Sequence, residues 1–122
     1  MLTVPSAVKI VLATEPVDMR KSIDELMALV RSSFGEDVYS GHLFVFVSRR
    51  GDRVKILTFS CGGFILYYKR LEQGRFQLPQ VPADASSVRL DATQLAMLLD
   101  GIDVAEVKRP AAWEPPRRAA TS

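Results

Sequence analysis

Polar and apolar positions change period several times along the 122 residues, and each change marks an element. Val8 to Ala13 (VKIVLA) is rich in β-branched residues and stops at Thr14-Glu15-Pro16, where proline removes a ladder donor, so it reads as a first strand. The spacing then turns helical: Ile23, Leu26, Met27, Val30 and Phe34 fall on one face, with Asp18 as the expected cap and Gly35 as the expected stop. From Leu43 the pattern is a meander, with apolar runs at 43–48, 54–59, 64–69 and 76–78 separated by glycine-containing breaks. Setting Phe59 opposite Phe64 brings Leu57 to Leu66, Lys55 to Tyr68 and Arg53 to Arg70, a face apolar at one end and basic at the other. A short strand at Val88–Leu90 leads into Asp91-Ala92-Thr93-Gln94, which resembles a capping box, and Leu95, Leu98, Leu99 and Ile102 then share a helical stripe.

The order β-α-β-β-β-β-(β)-α predicts an α+β fold, a single domain over 1–103 with a mainly antiparallel sheet of four to six strands. Both helices are expected on one face of that sheet. Only the first connection contains the helix that a parallel crossover needs. Beyond Asp103 the composition turns to Ala, Pro and Arg, and 104–122 reads as a flexible tail.

Composition narrows the class without naming a function. An apolar share of 48% and a charged share of 25% suit an ordinary globular core. The one cysteine, Cys61, excludes an internal disulfide and a thiolate metal cluster. No run approaches the ~18 apolar residues of a membrane helix, and the N-terminus lacks a leader pattern, so a cytoplasmic protein is expected.

Charge changes the picture more. The net charge is only +2, but residues 49–75 hold Arg49, Arg50, Arg53, Lys55, Lys69, Arg70 and Arg75 against Asp52 and Glu72, while the stretches on either side are acidic. Tyr67-Tyr68 followed by Lys69-Arg70 offers aromatic faces beside cations, the ingredients for stacking bases and neutralising phosphates. A core-facing tyrosine beside solvated bases explains the same string. Catalytic patterns are sparse. Asp24 and Glu25 are helix neighbours that point apart, Glu36-Asp37 falls in a loop, and the single histidine, His42, has no nucleophile in a recognisable turn. Gly62-Gly63 reads as a hairpin, since no phosphate-binding pattern surrounds it. Neither a metal nor a cofactor is expected.

Several strings together resemble one family. They are Asp18-Met19-Arg20-Lys21, Ser40-Gly41-His42-Leu43-Phe44-Val45-Phe46, and Arg49-Arg50-Gly51-Asp52-Arg53-Val54-Lys55-Ile56-Leu57. Gly63-Phe64 with Leu66, Tyr68-Lys69-Arg70-Leu71-Glu72, Gly74-Arg75-Phe76, and Gln94-Leu95 to Leu98-Leu99-Asp100-Gly101 complete the set. In this order, over about 10–102, the chain resembles the TnpB (second open reading frame) accessory protein of insertion sequences of the IS-sixty-six type. The resemblance implies a role in transposition beside a separate, larger DDE-type transposase that carries the strand-transfer carboxylates. The chain departs from it at Ser22, where glycine is frequent, and at Thr58-Phe59-Ser60-Cys61-Gly62, where a Trp-rich, Asp-containing turn is frequent.

Two functions fit these residues. One is a non-catalytic accessory factor that binds insertion-sequence DNA through Arg49, Arg50, Arg53, Lys55, Tyr68, Lys69, Arg70 and Arg75. The other is a docking module for the transposase or a companion accessory protein, using Asp18, Met19, Arg20 and Lys21 together with the tail and Trp113. Neither takes a small-molecule substrate, and the oligomeric state is open.

Overall fold

The computed structural model describes residues 8–100. The tail, Trp113 and Ile102 lie outside the described residues. Five strands form one sheet in the order β4-β3-β2-β1-β5: β1 (Ile10–Ala13), β2 (Leu43–Val47), β3 (Arg53–Ser60), β4 (Gly63–Arg70) and β5 (Ser87–Leu90). β1 and β2 are parallel, joined by the crossover through helix α1 (Ile23–Leu29), and every other pairing is antiparallel. The fold is therefore α+β with a mostly antiparallel sheet.

The β3–β4 hairpin adopts the expected register, with Phe59 on Phe64, Leu57 on Leu66, Lys55 on Tyr68 and Arg53 on Arg70. Ser60 pairs with Gly63, so the turn consists of Cys61 (φ 49°) and Gly62 (φ 82°). Two positive φ values in a two-residue loop give the turn whose twist matches that of the flanking strands.

Three expectations need correction. The helices occupy opposite faces. Leu26 and Val30 pack with Val11, Phe44, Phe46 and Leu57, whereas Leu95 and Leu98 of helix α2 (Ala92–Leu99) pack with Ile10, Leu12, Val45, Val47, Val54 and Ile56. All five residues of β2 are buried for this reason, since each face of a central strand meets a helix layer. Residues 76–78 form no strand: Phe76 is a single buried plug in the α2-side core, followed by exposed Gln77 and Leu78. The cap of α1 is Ser22 rather than Asp18. Its amide and hydroxyl both donate to Glu25 Oε1, at 3.0 and 2.9 Å. The departure from glycine at this position thus serves the start of the helix.

α1 continues into a π-helical stretch, Val30–Phe34, that ends at Gly35 (φ 62°). The wider turn still delivers Phe34 to the sheet, 6.4 Å from the Phe44 ring and 6.0 Å from that of Phe46. α2 starts as its sequence predicts, with the Gln94 amide donating to Asp91 Oδ1 at 2.7 Å and the Gln94 side chain accepting from the Asp91 amide.

Candidate functional site

Because β1 and β2 run parallel, the loops that follow them leave the same end of the sheet, and the Val17 amide donates to the Val47 carbonyl there at 2.9 Å. β3 starts and β4 finishes at that end as well. Two segments distant in sequence, 16–20 and 48–53, consequently wall one cleft of about 410 Å³, with Tyr68 completing it. Its lining brings together Asp18, Met19, Arg20, Arg49, Arg50, Asp52, Arg53 and Tyr68. Four arginines against two aspartates leave it with a net positive charge.

The acidic groups of the cleft are already engaged. Asp18 accepts from Arg20 Nη2 at 2.8 Å and from Arg20 Nε at 3.1 Å, and it accepts the Arg20 amide at 2.9 Å. These bonds and the adjacent charge hold the Asp18 carboxyl at about 2, well below its ordinary 3.8. Asp52 Oδ1 accepts from the Ser48 hydroxyl at 3.3 Å. Arg49 and Arg50 are exposed in the β2–β3 turn and make no ion pair among the described residues.

Arg53 is the unusual member. It sits directly opposite Arg70 across the hairpin, a like-charge pair that costs stability. Arg70 is relieved by Glu72, whose Oε2 lies 3.0 Å from its Nη2. Arg53 has no such partner among the described residues. Its Nε is shut away from solvent with no acceptor among the described residues.

The other expected basic residues are spread differently. Lys55 shares the face of Arg53, but its ammonium donates to the carbonyls of Met19 and Lys21, each at 2.8 Å, and stands 5.4 Å from the Tyr68 ring centre. It fastens the 18–21 loop to the sheet. Lys69 lies on the opposite face and its ammonium donates to the Leu99 carbonyl at the C-terminal end of α2, where a cation is favoured. The stem of Arg75 lies over Gly51, within 3.5 Å of where a Cβ would be. A Cβ at Gly51 would meet that stem in ordinary van der Waals contact, so it is the left-handed backbone (φ 78°) that favours glycine there. Lys21 lines a second cleft of about 330 Å³ together with Glu15, Phe34 and residues 83–86.

The turn that carries the arginines is braced from behind. The Leu71 amide donates to the Asp52 carbonyl at 2.8 Å and the Phe76 amide to the Gly51 carbonyl at 2.7 Å. Sequence reasoning treated 18–21 and 49–53 as separate sites and overlooked Ser48. The available signal was the crossover itself, which places the loops after β1 and β2 side by side.

Of the groups considered for catalysis, His42 accepts the Lys9 amide on Nδ1 at 3.1 Å. Among the described residues no three His, Cys, Asp or Glu side chains gather as a metal site, and no helix is long and apolar enough to cross a membrane.

These features define a small α+β sheet protein with an arginine-lined cleft at one end of the sheet. The chain belongs to the family described as IS66 Orf2 like protein, whose model matches residues 8–109. Membership gives it an accessory role in an insertion sequence, in a family not known for catalysis. It is 35% identical over 111 residues to the uncharacterized protein y4jC of Sinorhizobium fredii, covering 91% of this chain and 93% of that one. It is 34% identical over 103 residues to the uncharacterized protein y4hO of the same organism, covering 84% and 88%. No solved structure matches it.

Proposed function

We propose that this protein is a non-catalytic, cytoplasmic accessory factor that binds insertion-sequence DNA and thereby assists a separate DDE-type transposase. The observation that carries this reading is the convergence of Arg20, Arg49, Arg50 and Arg53 in one cleft whose carboxylates are already engaged. Phosphate groups are the natural complement of several guanidinium groups held on a braced turn, because each accepts bidentate bonds. Lys55 and Lys69 serve the fold in this reading, and Arg70 is buffered by Glu72.

A gel shift with DNA from the ends of the parent element tests it. Retardation at low salt that is lost in the triple variant Arg49→Ala, Arg50→Ala, Arg53→Ala is the expected result. No retardation of any DNA at low salt removes the reading.

A second reading, docking on the transposase or a companion accessory protein, draws on a groove of about 620 Å³ between β4 and α2. Tyr67, Leu95, Ala96 and Leu99 line it, and Tyr67 is 43% exposed, an aromatic anchor of the kind protein interfaces use. Retention of the transposase by the immobilised protein, abolished by Tyr67→Asp, is its test.

A further inference from the structure

We propose that the arginine-lined cleft seats a nucleotide of an unpaired DNA strand, with the phosphate on Arg53 and its neighbours and the base against Tyr68. This rests on the DNA-binding reading and specifies the form of DNA that the site takes.

Three observations lead there. First, Arg53 is held in an unfavourable position without relief: it faces Arg70, and its Nε is shut away from water with no acceptor among the described residues. Arg53 lines the cleft, so an anion entering it supplies the missing countercharge. Asp18 and Asp52, the carboxylates at hand, are bonded to Arg20 and Ser48 instead.

Second, the wall beside these cations is aromatic. Tyr68 is 52% exposed and lines the cleft together with Arg53. A half-exposed ring next to guanidinium groups is the combination by which single strands are held, because every base has a face to stack while its phosphate seeks a cation.

Third, the site is concave. About 410 Å³ lies within the range of roughly 300–1,000 Å³ for clefts that enclose a small organic group. An intact duplex turns its phosphates outward and keeps its bases stacked within, so no base reaches Tyr68 unless it is flipped out of the helix. An unpaired strand offers base and phosphate together.

The experiment is fluorescence anisotropy of the full chain with three labelled probes of equal length at low salt: oligothymidine, a mixed-sequence duplex, and an abasic single strand. Oligothymidine is expected to bind at least about tenfold more tightly than the duplex. Tyr68→Ala should weaken oligothymidine binding by about 5- to 150-fold, the worth of one stacked base. The same variant should leave the duplex and the abasic strand unchanged, and Tyr68→Phe should restore binding. Arg53→Gln should weaken all three probes. Tyr68 is exposed enough that a matching melting curve will confirm the folded state of its variants.

Duplex binding as tight as oligothymidine binding, with Tyr68→Ala inert, overturns the inference and leaves the DNA-binding reading standing. Equal loss of the abasic strand in Tyr68→Ala also overturns it. Failure of every probe to bind overturns both.

Discussion

Arg53 carries a conflict that no other described residue resolves. A buried donor without an acceptor costs about 1–3 kcal/mol, and a like charge directly across a strand pair adds up to about 1 kcal/mol. Arg53→Met keeps the stem that packs on the sheet and removes both penalties. Urea unfolding should therefore show the variant more stable by about 1 kcal/mol, while its DNA binding falls. Asp18 presents the reverse case, an exposed acid whose charge is well served. Its carboxyl lies at about 2 in the folded chain against an ordinary 3.8, so the ion pair is fully formed above that ordinary value and is lost as pH falls through about 2. A carbon-detected NMR titration should find this low midpoint, and Arg20→Ala should return it toward 3.8.

Among the elements, the β3–β4 hairpin was the most legible. Alternation through Arg53, Lys55, Leu57 and Phe59, closed by a glycine turn, leaves one register that keeps Leu57 and Leu66 on the core face. The turn itself is imperfect. Cys61 holds φ 49° with a side chain poorly suited to it, whereas asparagine at that position followed by glycine is the favoured pair. Cys61→Asn is expected to raise the urea midpoint by an amount equivalent to about 0.5–1 kcal/mol. Elsewhere local signals misled. Asp18 has the chemistry of a cap, but Arg20 takes it, and Ser22 with Glu25 begins the helix. Phe76 opens a Phe-Gln-Leu triplet that alternates like strand, yet its ring packs in the core and its amide is committed to Gly51.

For the whole molecule, composition and order conveyed the α+β class, but not that the sheet is covered on both sides. The clue was β2, where Leu43, Val45 and Val47 serve one core and Phe44 and Phe46 the other, a continuous run without polar relief. The charge distribution was legible only in part. Seven bases over 49–75 suggested one basic surface, but strand alternation sends Lys69 to the far side, and the loop carbonyls of Met19 and Lys21 absorb Lys55. About three phosphate contacts remain, by Arg49, Arg50 and Arg53, so the plot of log K against log salt should have a slope of roughly −2 to −3. A slope steeper than about −5, measured by anisotropy, would mean that the wider set takes part.

The connection from Leu71 to Ser86 runs between the two borders of the sheet. β4 and β5 are the outermost strands, four intervals or roughly 19 Å apart. Register places the finish of β4 and the start of β5 at the end of the sheet that bears the cleft. A protease cut within the exposed positions 80–84 would cost the peptide link and the local bond from the Ala85 amide to the Pro82 carbonyl, while every strand ladder lies outside them. The two fragments should then remain associated through β1 and β5, migrate as one species on gel filtration, and come apart at a temperature that depends on concentration.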